Sequence, residues 1–141
     1  MKLESFVVAP QNYRKPLKVV GVDVTVLASN DVTGGYEITL QEGPEGSGPV
    51  LHGHPWDESF FILRGIVELD RDGERLTVHA GTLVHFPAGT PHGYRFGAGG
   101  GAMLEISGPG GLATRAFELI ANHGVSDFGQ LAALLASSGA H

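Results

Sequence analysis

Short runs of β-branched and aromatic residues recur over the first two-thirds of the chain, with glycines between them. That rhythm predicts many short strands joined by tight turns, the pattern of an all-β sandwich or barrel. The runs place strands at Phe6–Val8, Leu17–Val20, Val22–Ala28, Tyr36–Gln41, Val50–His54, Ser59–Leu63, Ile66–Asp70, Arg75–His79, Leu83–Phe86, His92–Phe96 and Met103–Ser107. Asp72-Gly73 between two of these runs is a type I′ hairpin signal. Gly97–Ala102 can be aligned to G-x-G-x-x-A, but it lies between two strands. It has no helix N-terminus to offer a phosphate, so it is expected to be a hairpin loop.

After Ser107 the period changes. Gly108-Pro109-Gly110-Gly111 reads as a turn, and Leu112, Ala116, Leu119 and Ile120 then fall at helical spacing over residues 112–121, with Gly124 at the expected C-terminal cap. Ser126 opens a second predicted helix to about Ala136, with Phe128, Leu131, Ala132 and Leu135 on one stripe. Both helices are expected to pack on the outside of the barrel. No linker divides the chain, so one domain spans 1–141, with the barrel over about 15–107 and the helical extension over about 112–137.

Composition narrows the function classes. The chain has 141 residues, 42% of them apolar and 17% charged, which belongs to a globular domain with a real core. Net charge is −6 with nine Lys and Arg. Nucleic acid is therefore not the expected partner, since binding it rests on neutralising phosphates. The absence of cysteine excludes disulfides, thiolate metal sites and a cysteine nucleophile. The opening Met1-Lys2-Leu3-Glu4-Ser5 has no apolar run, and no stretch reaches the roughly 18 apolar residues of a membrane span. A cytoplasmic location, away from membranes, is the expectation.

The candidate chemistry lies in the middle of the chain. His52 and His54 are two apart and share one face of an extended segment; Glu58 follows beyond Pro55, and His92 comes just after a turn. Three histidines and a glutamate at interior positions would be costly to bury without a cation to pair them. Neutral imidazoles and a carboxylate suit one divalent transition metal (Fe, Mn, Ni, Co or Zn). Four donors leave one or two positions open in an octahedral ion, so a substrate or water can enter. Pleat parity puts Phe60 and Ile62 on the face of Glu58, and Tyr94 and Phe96 on the face of His92. With Tyr36, Trp56 and Phe86 they are the candidate pocket lining, apolar enough for a hydrophobic or aromatic small molecule. His85, in the strand before His92, reads as an ordinary strand histidine; His79, His123 and His141 also lie outside the group.

These residues resemble the two motifs of the cupin superfamily. Gly46, His52, His54, Glu58 and Gly65 match G-x5-H-x-H-x3-E-x6-G at every spacing, and Gly81, Pro87, Gly89 and His92 match G-x5-P-x-G-x2-H-x3-N. Phe96 stands where the second motif has Asn, which predicts a more apolar cavity. The resemblance implies a double-stranded β-helix, or jelly-roll, barrel with two short C-terminal helices. It implies His52, His54, Glu58 and His92 as metal ligands, and a homodimer paired through sheet edges near Phe6–Val8. The Pro-Gly-Gly turn followed by helices is similar to small quercetinase-like cupins. A dioxygenase is the implied activity, with Glu58 as general base. A binding module without turnover, or an isomerase, decarboxylase or lyase, is the alternative, because such barrels host many chemistries.

Overall fold

Alternation decides which way each side chain faces, and in this chain it runs in two opposite senses. The computed structural model describes residues 2–123. Seven strands form one antiparallel sheet: β1 (Leu17–Val19), β2 (Val22–Ala28), β3 (Glu37–Gly43), β4 (Asp57–Arg71), β5 (Glu74–His79), β6 (Leu83–Phe86) and β7 (His92–Gly108). The order is β1-β2-β3-β7-β4-β5, with β6 paired to β4. On β2, β4 and β6 the inward residues are mainly apolar: Val22, Val24, Phe60, Ile62, Val67, Leu69 and Phe86 are all buried. On β3 the inward residues are Glu37, Thr39 and Gln41, and β7 adds Glu105 and Ser107 to this buried polar set. Their apolar neighbours turn outward, where Ile38 pairs with Ile106 and Leu40 with Leu104. A buried polar face backed by outward aliphatic residues is a departure from the usual pattern and points to a role for the interior.

Two long strands replace four predicted short ones. The expected Ser59–Leu63 and Ile66–Asp70 are one strand, β4, and the expected His92–Phe96 and Met103–Ser107 are one strand, β7. The glycine segment 97–102 is therefore not a hairpin loop. It continues β7 past β4, with register shifts at Ile62/Arg64 and Gly65/Val67 that bend the pair. Glycine permits this because Gly99 and Gly100 are left-handed, with φ of 82° and 76°. Asp72 and Gly73 both have positive φ, as the type I′ turn requires.

Two predicted strands are absent. Residues 6–8 have no regular structure, and Phe6, Val7 and Val8 are exposed. Residues 50–54 reduce to a single bridge in which His52 and His92 exchange both main-chain hydrogen bonds at 2.8 Å. Pro49 and Pro55 bracket that segment and remove the donors a longer ladder would use. A short helix α1 (Asn30–Thr33) ends on a left-handed Gly34. Helix α2 (Ala113–His123) is the helix expected over 112–121 and buries Ala113, Ala116, Phe117 and Ile120. The Glu37 carboxylate accepts hydrogen bonds from the main-chain N–H groups of Gly111 (2.9 Å) and Thr114 (3.0 Å), tying the start of α2 to β3. The predicted cap at Gly124 and the second helix from Ser126 lie outside the described residues.

Candidate metal centre

Three histidines reach one point from two directions. His52 and His54 sit on the segment between β3 and β4; His92 opens β7 and is bridged to His52. One ring nitrogen of each lies within 4.8 Å of the others, a group able to hold a metal ion. Main-chain carbonyls set their tautomers. His52 Nδ1 is 2.8 Å from the Val50 oxygen, His54 Nδ1 3.2 Å from the Trp56 oxygen, and His92 Nδ1 2.8 Å from the Thr90 oxygen. A carbonyl oxygen only accepts, so each Nδ1 carries the proton and each neutral ring keeps its lone pair at Nε2. Ring packing fixes the planes: Trp56 lies flat on His54 (centroids 4.0 Å apart, 6°) and Phe86 on His92 (4.3 Å, 12°).

Glu58, on β4, brings Oε2 to 2.7 Å from His54 Nε2 and 2.8 Å from His92 Nε2. Lone pairs facing a carboxylate oxygen need positive charge between them, a proton or a cation. Three Nε2 lone pairs and one carboxylate oxygen are a donor set that fits a divalent transition ion. The electrostatics agree. Burial pushes the His52 imidazolium down to about 4, so that ring stays neutral and ready to ligate. Burial also disfavours charge on His92, but the hydrogen bond and negative charge of Glu58 outweigh it and raise that ring. Burial would raise Glu58, yet its close polar contacts with Glu105, His54 and His92 hold its carboxyl well below the usual range.

Behind Glu58 lies a polar layer that the motif reading missed. Glu105 is held well above the usual carboxyl range by burial and then by the negative charge of Glu58, to which it is hydrogen-bonded. Gln41 Nε2 donates to Glu105 Oε2 (2.9 Å) and to Thr39 Oγ1 (3.2 Å), and the Tyr94 hydroxyl donates to Gln41 Oε1. The signal was present in the alternation: Glu37, Thr39 and Gln41 fall on one face of β3, opposite Ile38 and Leu40. It was unreadable from hydropathy alone, because apolar residues are normally assigned to the core face.

A cavity opens on this centre. Its free interior, about 20 Å³, holds one water or ion as it stands. Val20, Val22, Val24 and Phe117 form its apolar side, while the three histidines, Glu58, Gln41 and Glu105 form the polar one. Of the predicted lining, Trp56, Phe60 and Tyr94 are on the wall. Ile62, Phe86 and Phe96 are buried in the core without reaching it, and Tyr36 is 47% exposed, away from it. Phe96 fills the far end of the barrel, where a Cβ on Gly43 or Gly101 would touch its ring. The residue in the motif's Asn position thus packs the core and leaves the cavity wall to others. Phe117 belongs to α2, so this helix supplies part of the wall as well as packing on the barrel. His85 is exposed and lies 2.8 Å from Ser59 Oγ through Nδ1, outside the group.

An antiparallel barrel that gathers three histidines and a carboxylate beside a cavity could hold a metal ion there. The chain belongs to the cupin superfamily: the cupin domain model matches residues 36–104, which include every residue of both motifs. Over 73 residues, half of this chain, it is 42% identical to the quercetin 2,3-dioxygenase of Bacillus subtilis, and it spans 22% of that enzyme's length. KdgF from a Halomonas species superposes with a TM-score of 0.66 at 18% identity, covering 75% of this chain and 94% of that one. An RmlC-like cupin from Shewanella frigidimarina superposes at 0.67 with 16% identity, covering 77% and 95%. At these identities the structural likeness concerns the fold. No helix among the described residues is long and apolar enough to cross a membrane.

Proposed function

We propose that this chain is a metal-dependent dioxygenase acting on a small aromatic or otherwise hydrophobic oxygenated substrate. The observation that carries the reading is the convergence of three tautomer-fixed Nε2 lone pairs with Glu58 beside a half-apolar cavity. The 42% identity to a quercetin 2,3-dioxygenase over this region supports it. His52, His54, His92 and Glu58 would hold the ion. When bound, a divalent ion would supply Lewis-acid polarisation of a substrate oxygen.

The chain's own groups do the rest. Val20, Val22, Val24 and Phe117 are the apolar side against which the body of a substrate would pack once the cavity widens to admit it. Glu58 accepts the proton of the substrate hydroxyl at a carboxylate oxygen. Glu105, protonated and hydrogen-bonded to Glu58, keeps that carboxylate charged and oriented. One observation favours a second reading, a module that captures a ligand without turnover. Glu58 is already engaged by His54, His92 and Glu105, which leaves it less free to act as a base.

Elemental analysis followed by oxygen uptake against flavonols and 1,3-diketones tests the proposal, with Glu58→Gln as the discriminating variant. Loss of about 10²–10⁴-fold in turnover with metal retained is expected for a base. Equal rates in both proteins would reject that role, and a ligand recovered unchanged from wild type would favour the binding module.

A further inference from the structure

Trp56 is the only tryptophan of the chain. It is 2% exposed, lines the cavity, and lies flat on His54 with the rings 4.0 Å apart. Its main-chain oxygen accepts from His54 Nδ1, so the residue both sets that tautomer and covers that ring. Its indole Nε1 is buried with no hydrogen-bond acceptor among the described residues. Ser107 Oγ and Thr114 Oγ1 share that condition, but neither residue is on the cavity wall. A hydroxyl can also rotate or accept, whereas an indole N–H only donates, in the plane of its ring. A buried donor without an acceptor is costly, and such groups are rare outside functional sites.

Resting on the reading of the histidine group as a metal centre, we infer that Trp56 is a specificity-determining residue whose Nε1–H donates to an oxygen of the bound ligand. The indole stacks on His54, so that oxygen lies close to the ligand atom that reaches the histidines. The ligand class is therefore one with two neighbouring oxygens, the second a hydrogen-bond acceptor, as in an enolised diketone, a hydroxyketone or a catechol. A ligand with a single oxygen, or none, leaves the indole unpaired and binds less tightly.

The single tryptophan makes the test direct. The zinc-loaded, ¹⁵N-labelled chain should show one indole N–H cross-peak. Acetylacetone, with two oxygens, and thiocyanate, with none, are the probes, their binding measured by calorimetry. Acetylacetone is expected to move the indole proton downfield, and thiocyanate to leave it in place. Trp56→Phe should keep the zinc, weaken acetylacetone about tenfold and leave thiocyanate within about twofold. Acetylacetone binding with an unmoved indole peak would overturn the inference, as would failure of both probes to bind the zinc-loaded protein. If Trp56→Phe does not fold, the wild-type indole shift decides alone. Oxygen uptake on flavonols is scored separately. A shifted indole without turnover keeps the inference and rejects the dioxygenase, and turnover with an unmoved indole does the reverse.

Discussion

Gly65 is the tightest point between the two long strands, and Gly65→Ala should show it. Gly65 pairs with Gly101 where β4 passes β7, and its φ is +82°. A Cβ there would overlap the Gly100 carbonyl oxygen and stand 2.9 Å from the Gly101 Cα. Both are backbone atoms that cannot swing aside. The left-handed conformation costs an L-residue about 1–2 kcal/mol, and overlap in a packed region adds about 1–3 kcal/mol. Reduced entropy of the unfolded chain returns about 0.5–1 kcal/mol. The net loss is about 2–4 kcal/mol, a fall in Tm on the order of 10 °C for a domain of this size. Gly73→Ala is the control: φ is +81° but the Cβ meets open space, so it should lose only about 1 kcal/mol. Urea and thermal unfolding of both variants give the answer. Equal losses in the two would show that the close approach of β4 and β7 contributes nothing, and the reasoning would fail.

Replacing His52 or His92 by Ala should abolish bound transition metal, checked by elemental analysis of reconstituted protein; full occupancy in either variant would exclude that ligand. Metal affinity should fall as pH drops from 7 to 5.5, because protons compete for the Nε2 lone pairs. His92, raised by Glu58 against its burial, should take up a proton before His52, which burial pushes down to about 4. Zinc titrations at three pH values that return one affinity would contradict this. A homodimer is expected, with the second copy covering the outward apolar face of Ile38, Leu40, Phe61, Leu83, Leu104 and Ile106. Phe61 pairs there with both Leu83 and Leu104. Light scattering should give twice the chain mass for wild type and the monomer mass for Phe61→Lys; a monomeric wild type would refute it.

The histidines and Glu58 were legible because motif spacing is a local property. His-x-His puts two imidazoles on one face of an extended segment whatever surrounds it, and Gly65, Gly81 and Gly89 occur where left-handed backbone is needed. The strand rhythm and the Asp72-Gly73 turn were legible for the same reason. The inner face of β3 and β7 was not. Alternation states that Gln41 and Leu40 point opposite ways, but hydropathy assigns Leu40 to the core, and here Gln41 goes in. Only the pairing of β7 with β3 on one side and β4 on the other, which sets Gln41 against Glu105 and both behind Glu58, makes a buried polar layer satisfiable. The continuity of β7 through its glycines was decided in the same way, by the close passage of Gly65 and Gly101. So was the place of Phe96, which the chain left free to face the cavity and the packing of Gly43 and Gly101 sent to the far end of the core. Local backbone preference and spacing wrote the ligands into the chain; long-range strand pairing chose which faces meet around them.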